Sequence, residues 1–263
     1  MARTALLNIM VQAALKAGRS LIRDFGEVEN LQVSRKGPAD FVSNADRRAE
    51  KIVFDELMKA RPTYSFLMEE GGSVAGTDGQ HRWIVDPLDG TTNFLHGIPY
   101  FAVSIGLERN GEIVAGVIYN PATDELFTAE RGGGAYVNDR RLRVGGRRHL
   151  ADCVVVTGIQ SAGRPEDALA LRRAAHIIPA ISGLRRFGAA SVDLAWVAAG
   201  RFDAMFENAL HPWDMAAGIL MIREAGGFVT DFSGGNGMFA NGGIVAGNEI
   251  VHRDLLKALA EIR

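Results

Sequence analysis

Asn110-Gly111 sits between two apolar runs, Phe101–Leu107 and Ile113–Tyr119, and it constrains the fold more tightly than any other feature of the chain. Asn and Gly tolerate the positive φ angles of a two-residue hairpin turn, so the two runs are predicted to pair antiparallel. Further strands are expected at Glu125–Ala129 and Ala135–Val137, extending the pair into a meander. Two helices should precede it. Leu6, Ile9, Met10, Ala13, Ala14, Ala17, Leu21 and Phe25 recur at helical spacing over residues 2–25. The second helix is expected from Ala45 to Ala60, with Ser43 or Asn44 as cap, Asp46 in its first turn and Pro62 past its end. Lys36-Gly37-Pro38-Ala39-Asp40 reads as a loop, because Gly and Pro interrupt both regular patterns.

The rhythm changes beyond Gly145-Gly146-Arg147-Arg148. Strands are expected at Cys153–Thr157, Leu184–Phe187, Asp203–Phe206, Phe228–Thr230 and Ile244–Ala246. Helices are expected at Glu166–His176, Ala189–Ala199, Asp214–Ala225 and Glu249–Ile262. Such alternation implies a second layered α/β sheet. The chain therefore divides into an N-terminal α+β half, residues 1–147, and a C-terminal α/β half, residues 148–263.

Composition narrows the function by exclusion. Lys+Arg is 29 against Asp+Glu 31, a balance that gives no drive toward nucleic acid or an anionic membrane. No apolar stretch is long enough to span a bilayer. The single cysteine, Cys153, lies in an apolar run, cannot form an internal disulfide, and fits a reducing cytoplasm. Arg3, Lys16, Arg19 and Arg23 precede the first acid, Asp24, but the apolar periodicity there reads as a packed helix rather than a transit peptide.

The chemistry concentrates in carboxylates at element ends. Two short buried strands, Tyr64–Met68 and Trp83–Val85, run directly into acids: Glu69-Glu70 after the first, Asp86 and Asp89 after the second. Asp46 and Asp214 stand at helix starts. Asp86 and Asp89, three apart across a tight turn, can face one cavity and bridge two cations, and the Leu88 carbonyl adds a neutral oxygen. Gly90 permits close backbone approach, and the Gly90 and Thr91 amides suit a phosphate if a helix begins there. Any one of these pieces alone reads as solvated surface or helix capping. Their combination beside Gly90-Thr91-Thr92 points to phosphate chemistry with a hard cation. His96 and His211 lie near these segments but read as structural or as supports behind the ligands, since oxygen ligands dominate, and Trp213 reads as packing beside Asp214.

These residues resemble the inositol monophosphatase family, within the lithium-sensitive, Mg²⁺-dependent phosphatases. Asp86-Pro87-Leu88-Asp89-Gly90-Thr91-Thr92-Asn93-Phe94 is similar to the family's first signature. Trp213-Asp214-Met215-Ala216-Ala217-Gly218, followed by Glu224-Ala225-Gly226-Gly227, is similar to the second. Lys36–Ser43 with Asp46, and Gly188–Ala195, match in order, and the likeness is strongest to bacterial SuhB-type members. The resemblance implies a layered αβαβα sandwich, a homodimer, lithium sensitivity and two or three Mg²⁺ ions. It implies that Glu69, Asp86 and the Leu88 carbonyl hold one ion, that Asp86, Asp89 and Asp214 hold a second, and that a third lies near Glu69. Thr91 with Asp46 would activate the attacking water. Gly90 and Thr91 would bind phosphate, and Asp89, Ala190, Glu207 and Asp214 would contact the alcohol. The family often has Gly where this chain has Met68, which puts the path of the Glu69 loop in question.

The implied reaction is hydrolysis of myo-inositol monophosphate to inositol and phosphate by in-line attack of a metal-activated water, without a protein nucleophile. Relatives of the fold act on histidinol phosphate, fructose 1,6-bisphosphate or 3′-phosphoadenosine 5′-phosphate, and a SuhB-like role as a partner of the transcription machinery is the alternative outside catalysis. Nothing basic or aromatic-rich in the chain requires nucleic acid.

Overall fold

The computed structural model describes residues 3–27, 33–37, 40–159 and 165–262. Helix α1 (Ala5–Phe25) is followed by a hairpin, β1 (Val33–Gly37) and β2 (Asp40–Ser43), and by α2 (Asn44–Ala60). The expected loop at 36–40 is thus largely a hairpin: Lys36 and Gly37 end one strand and Asp40 opens the next, while Pro38 and Ala39 lie outside the described residues. Gly and Pro marked the reversal there, but a reversal between paired strands leaves most of the segment in the ladder.

The main sheet contains β3 (Ser65–Met68), β4 (Gly72–Val74), β5 (His81–Asp89), β6 (Ala102–Arg109), β7 (Glu112–Asn120), β8 (Glu125–Glu130), β9 (Gly134–Val137) and β10 (Arg140–Arg141). Its order is β10-β9-β8-β7-β6-β5-β3-β4, antiparallel except where β3 runs parallel to β5. The β6–β7 turn is the predicted one, with Asn110 at φ 50° and Gly111 at φ 81°. A five-residue helix, α3 (Thr91–Leu95), follows β5.

The second sheet is built from β11 (Val154–Thr157), β12 (Gly183–Arg185), β13 (Ala204–Glu207), β14 (Phe228–Thr230) and β15 (Ile244–Gly247), in the order β12-β11-β13-β15-β14. Its helices are α4 (Pro165–Ile177), α5 (Ala190–Ala198), α6 (Pro212–Glu224), α7 (Met238–Asn241) and α8 (Glu249–Leu259). The strand expected at 184–187 is shorter, because Arg186 and Phe187 leave the sheet to approach the Gly188 turn. No helix of the described residues is long and apolar enough to cross a membrane.

These elements stack in five layers, αβαβα. Helices α1 and α2 cover one face of the main sheet, where Val103, Ile105 and Leu107 of β6 meet Met10, Val53 and Leu57 in one core. Helices α5 and α6 fill the space between the sheets, and α4 and α8 close the far side. The two kinds of helix differ as their positions demand. Helix α1 is amphipathic, whereas every residue from Met215 to Ile222 on α6 is buried. Helix α6 lies directly on the sheet backbone: a Cβ at Gly106 would stand 2.9 Å from the Ala216 methyl, and one at Gly116 3.0 Å from the Ala217 Cα. The Ser104 hydroxyl donates to the Trp213 carbonyl at 3.3 Å, which fastens the first turn of α6 over β6.

Candidate active site

Asp86 and Asp89 do not flank a tight turn. Strand β5 continues through both, with a bulge between Asp86, opposite Ser104, and Asp89, opposite Ala102. Pro87 explains the interruption, since it has no N–H to give the ladder, and a bulge re-aims the side chains beyond it. The Leu88 amide folds back onto Asp86 Oδ1 at 2.9 Å.

Four carboxylates meet here from different elements. Asp86 is in hydrogen-bond contact with Glu69 and with Asp214, and Asp89 adds its charge to both Asp86 and Asp214. Burial, then the neighbouring charges of Glu69, Asp89 and Asp214, holds the Asp86 carboxyl well above its usual range. Asp214 is raised by burial and by Asp89, although the His211 amide opposes the rise. Asp89 is pushed up to about 6 by burial, with hydrogen bonds from Ser191, Ala190 and Val192 pulling the other way. Among the described residues no three such side chains form a ready-made closed cage; they stand as neighbouring like charges. Carboxylates in such contact must share protons or a cation, and an all-oxygen donor set suits a hard divalent ion.

Each acid is held by its local fold. Glu69 leaves β3 with its amide donating to the Val85 carbonyl at 3.2 Å. Met68, before it, is an ordinary strand residue, buried and paired with Gly72 and Val85, so the Glu69 loop keeps its place beside β5. Gly72, at φ 69°, supplies the left-handed residue of that turn. Helix α6 begins at Pro212, two residues earlier than the sequence pattern suggests. Asp214 therefore lies at its third position, where it completes a capping box: its Oδ2 accepts the His211 amide at 2.6 Å. The His211 ring stacks on Trp213 with centroids 4.8 Å apart, a structural use of that histidine. His96 ends α3 at the surface.

Gly90 occupies φ 90° at the N-cap of α3, and a Cβ there would lie 2.9 Å from the Tyr100 carbonyl. The Thr91 hydroxyl reaches Asp46 Oδ1 at 3.0 Å and the Leu88 carbonyl at 3.1 Å. Asp46, in the first turn of α2, is buried. On the other side Ala190 opens α5 above Asp89. Glu207, at the end of β13, is buried and strongly raised by burial and by the charges of Asp193, Asp214 and Asp89. Its Oε2 has no hydrogen-bond partner.

Several bordering residues carried no sequence signal beyond their place in a motif. Asn93 donates to the Tyr100 and Phe187 carbonyls, both at 2.8 Å, tying α3 to the turn before α5. The Tyr100 hydroxyl donates to Asp193 at 2.6 Å. Ser191 donates to Asp89 through both its amide and its hydroxyl. A groove of about 450 Å³ lined by Arg19, Arg23, Arg48 and Lys51 lies elsewhere, between α1 and α2, with Arg48 and Arg23 paired to Asp24 and Lys51 to Asp55.

The model of the inositol monophosphatase family matches residues 2–263. The chain is 66% identical over 259 residues to an inositol-1-monophosphatase of Mesorhizobium japonicum, a match covering 98% of this chain and 97% of that protein. It is 42% identical to the Nus factor SuhB of Escherichia coli K12, over 95% of this chain and 94% of that one. The crystal structure of the extragenic suppressor protein suhB from Bartonella henselae, 63% identical, superimposes with a TM-score of 0.95 over 97% of this chain and 98% of that chain.

Proposed function

The chain belongs to the inositol monophosphatase family, and from that premise we propose that it hydrolyses myo-inositol monophosphate with Mg²⁺ held at Glu69, Asp86, Leu88, Asp89 and Asp214. The observation that carries this reading is the gathering of Glu69, Asp86, Asp89 and Asp214 around the end of β5, beside the Gly90 turn whose Thr91 hydroxyl reaches Asp46 and the Leu88 carbonyl. Two or three cations bound there would lower the pKa of a water, neutralise phosphoryl oxygens and stabilise the departing alkoxide.

The chain's own residues supply position and proton traffic. Thr91 directs its O–H toward Asp46 and the Leu88 carbonyl, which leaves its oxygen lone pairs to accept a hydrogen bond from the attacking water. A proton reaching Thr91 Oγ has Asp46 as its next acceptor at 3.0 Å. The Gly90 and Thr91 amides, at the start of α3, face the phosphate oxygens. Glu207, with its unpartnered oxygen, accepts from a hydroxyl of the alcohol, and Asp89, Ala190 and Asp214 line the same side. No step needs a protein nucleophile, because positioning and charge stabilisation carry phosphoryl transfer. Buried, unpaired Cys153 accords with a reducing compartment.

The test is a panel of inositol 1-phosphate, histidinol phosphate, fructose 1,6-bisphosphate and 3′-phosphoadenosine 5′-phosphate, with Mg²⁺ titrated. The highest kcat/KM is expected on inositol 1-phosphate, abolished by chelation and inhibited by millimolar Li⁺. A higher kcat/KM on any other member, or full activity in chelator, would refute the assignment. In the same preparation sedimentation should give a homodimer. The name of the Escherichia coli relative favours a second reading, a partner role in transcription. In that case a variant lacking the acids would keep the cellular phenotype.

A further inference from the structure

Helix α5 begins without a side-chain cap. Its N-cap residue is Ala189, whose methyl can accept nothing. The unpaired amides of a helix's first turn need an acceptor, and here it arrives from another part of the chain. Asp89 Oδ2 accepts the Ser191 amide at 2.7 Å and the Ser191 hydroxyl at 2.5 Å, across 102 residues of sequence. Both bonds end on the same oxygen, and the Ala190 and Val192 amides of the same turn also face the carboxylate.

That arrangement has a chemical consequence for the site. A carboxylate held by two donors on one oxygen cannot rotate about its last bond without losing both. Fixing Oδ2 therefore fixes the direction of Oδ1. Ser191 is fully buried, so its hydroxyl has no water to turn to in place of Asp89. The amide of residue 191 would be present whatever the side chain, but the hydroxyl is a property of serine.

We propose that Ser191 is a positioning residue for metal binding: its hydroxyl adds to the amides of α5 in fixing Asp89 Oδ2, which would leave Oδ1 for a cation. The inference rests on the reading of Asp89 as a metal ligand. Groups that orient metal-binding side chains commonly change metal affinity by ten- to a hundredfold when removed. The hydroxyl acts here without touching the ion.

The experiment compares the full-length protein with Ser191→Ala and with Val197→Ala. Val197 is a buried α5 residue whose truncation loosens the packing of the helix without touching Asp89. Mg²⁺ alone is titrated calorimetrically and by thermal shift, with no substrate present. Ser191→Ala is expected to raise the Mg²⁺ Kd about tenfold. The metal-free Tm should fall no further than in Val197→Ala, and Val197→Ala should bind Mg²⁺ as the parent does. Turnover should show the same shift in the Mg²⁺ needed for half-maximal rate, with the substrate KM at saturating Mg²⁺ unchanged. Equal Mg²⁺ affinity in Ser191→Ala and the parent would overturn the role of Ser191 while leaving the metal reading intact. An equal loss in Val197→Ala would overturn it too, by tracing the effect to the packing of α5. A parent protein that binds no Mg²⁺ would remove the metal reading and the inference together.

Discussion

Two segments of this chain, each carrying aspartate beside a glycine turn, make opposite use of a carboxylate. In the first, residues 86–92, the acids are pressed against one another. In the second, residues 231–237, a single acid is wrapped in donors. Asp231 Oδ1 accepts the Ser233 amide at 2.8 Å and the Gly235 amide at 2.9 Å, and its Oδ2 accepts the Gly237 amide at 3.0 Å. Both turns contain a left-handed glycine, Gly90 at φ 90° and Gly234 at φ 80°. Burial raises both sets of carboxyls. At Asp231 the amides of Gly235, Ser233 and Gly237 outweigh burial and hold it below the usual range, whereas at Asp86 and Asp214 the neighbouring acids add to burial. A carboxylate satisfied by N–H groups holds a loop. A carboxylate facing other carboxylates waits for a cation.

The comparison breaks most visibly by neutralising one member of the first turn. Asp89→Asn should lower kcat at saturating Mg²⁺ by about 100-fold or more, roughly 2.7 kcal/mol of barrier. The fold should persist, because an amide oxygen can still accept the Ser191 donors. Near-normal turnover would place Asp89 with the structural acids.

A second effect separates the turns by pH. With folded pKa values above the ordinary 3.8, about 6 for Asp89, the metal-free folded state holds protons that the unfolded chain has released. Its stability must therefore fall as pH rises from near 4 through about 6. Mg²⁺ competes with those protons, so the Tm gained on adding it should be small at acid pH and grow toward neutrality. With Mg²⁺ at about 100 times its Kd the stabilisation free energy behind that gain should reach about 2.7 kcal/mol. A Tm gain independent of pH would mean that these carboxyls are not the ones the ion meets.

How much of this was legible in the sequence follows from what is local. Asn110-Gly111, the helical spacing of Leu6 to Phe25 and the alternation after residue 148 gave the elements, because each is a pattern within one element. The acids of the first turn stood out for the same reason. The β5 bulge was not legible, since pairing opposite Ser104 and Ala102 leaves no period in residues 86–89. Nor was the β1–β2 ladder within an apparent loop. Asn93 with Phe187, and Ser191 with Asp89, are contacts between residues 94 and 102 positions apart, set by layers that sequence spacing does not encode.

The glycines sharpen the contrast further. A Cβ at Gly90 would meet the Tyr100 carbonyl at 2.9 Å and the Ala189 methyl at 3.1 Å, whereas one at Gly234 meets only the flexible Leu256 side chain, at 3.3 Å. Both positions carry the left-handed penalty of about 1–2 kcal/mol. Gly90→Ala should lose both stability and kcat, since its crowded neighbours belong to the site. Gly234→Ala should lose stability alone. Denaturant midpoints and kcat measured together decide it, and a Gly90→Ala protein with unchanged kcat would make that turn as structural as the other.

The smallest effect should come from the satisfied acid. Asp231→Asn keeps one acceptor oxygen and loses the charge that three amides address. The expected cost is about 1 kcal/mol at neutral pH, with kcat per folded molecule unchanged. The pH dependence has the opposite sign to that of the first turn. Because the folded pKa lies below 3.8, the unfolded chain binds the proton first, and stability falls as pH drops through that range. The difference between parent and variant should therefore be full above the unfolded value and vanish below the folded one. Acid denaturation curves of the two proteins should converge at low pH. If they stayed apart there, the charge of Asp231 would not be what holds the loop, and the two turns would differ in geometry alone.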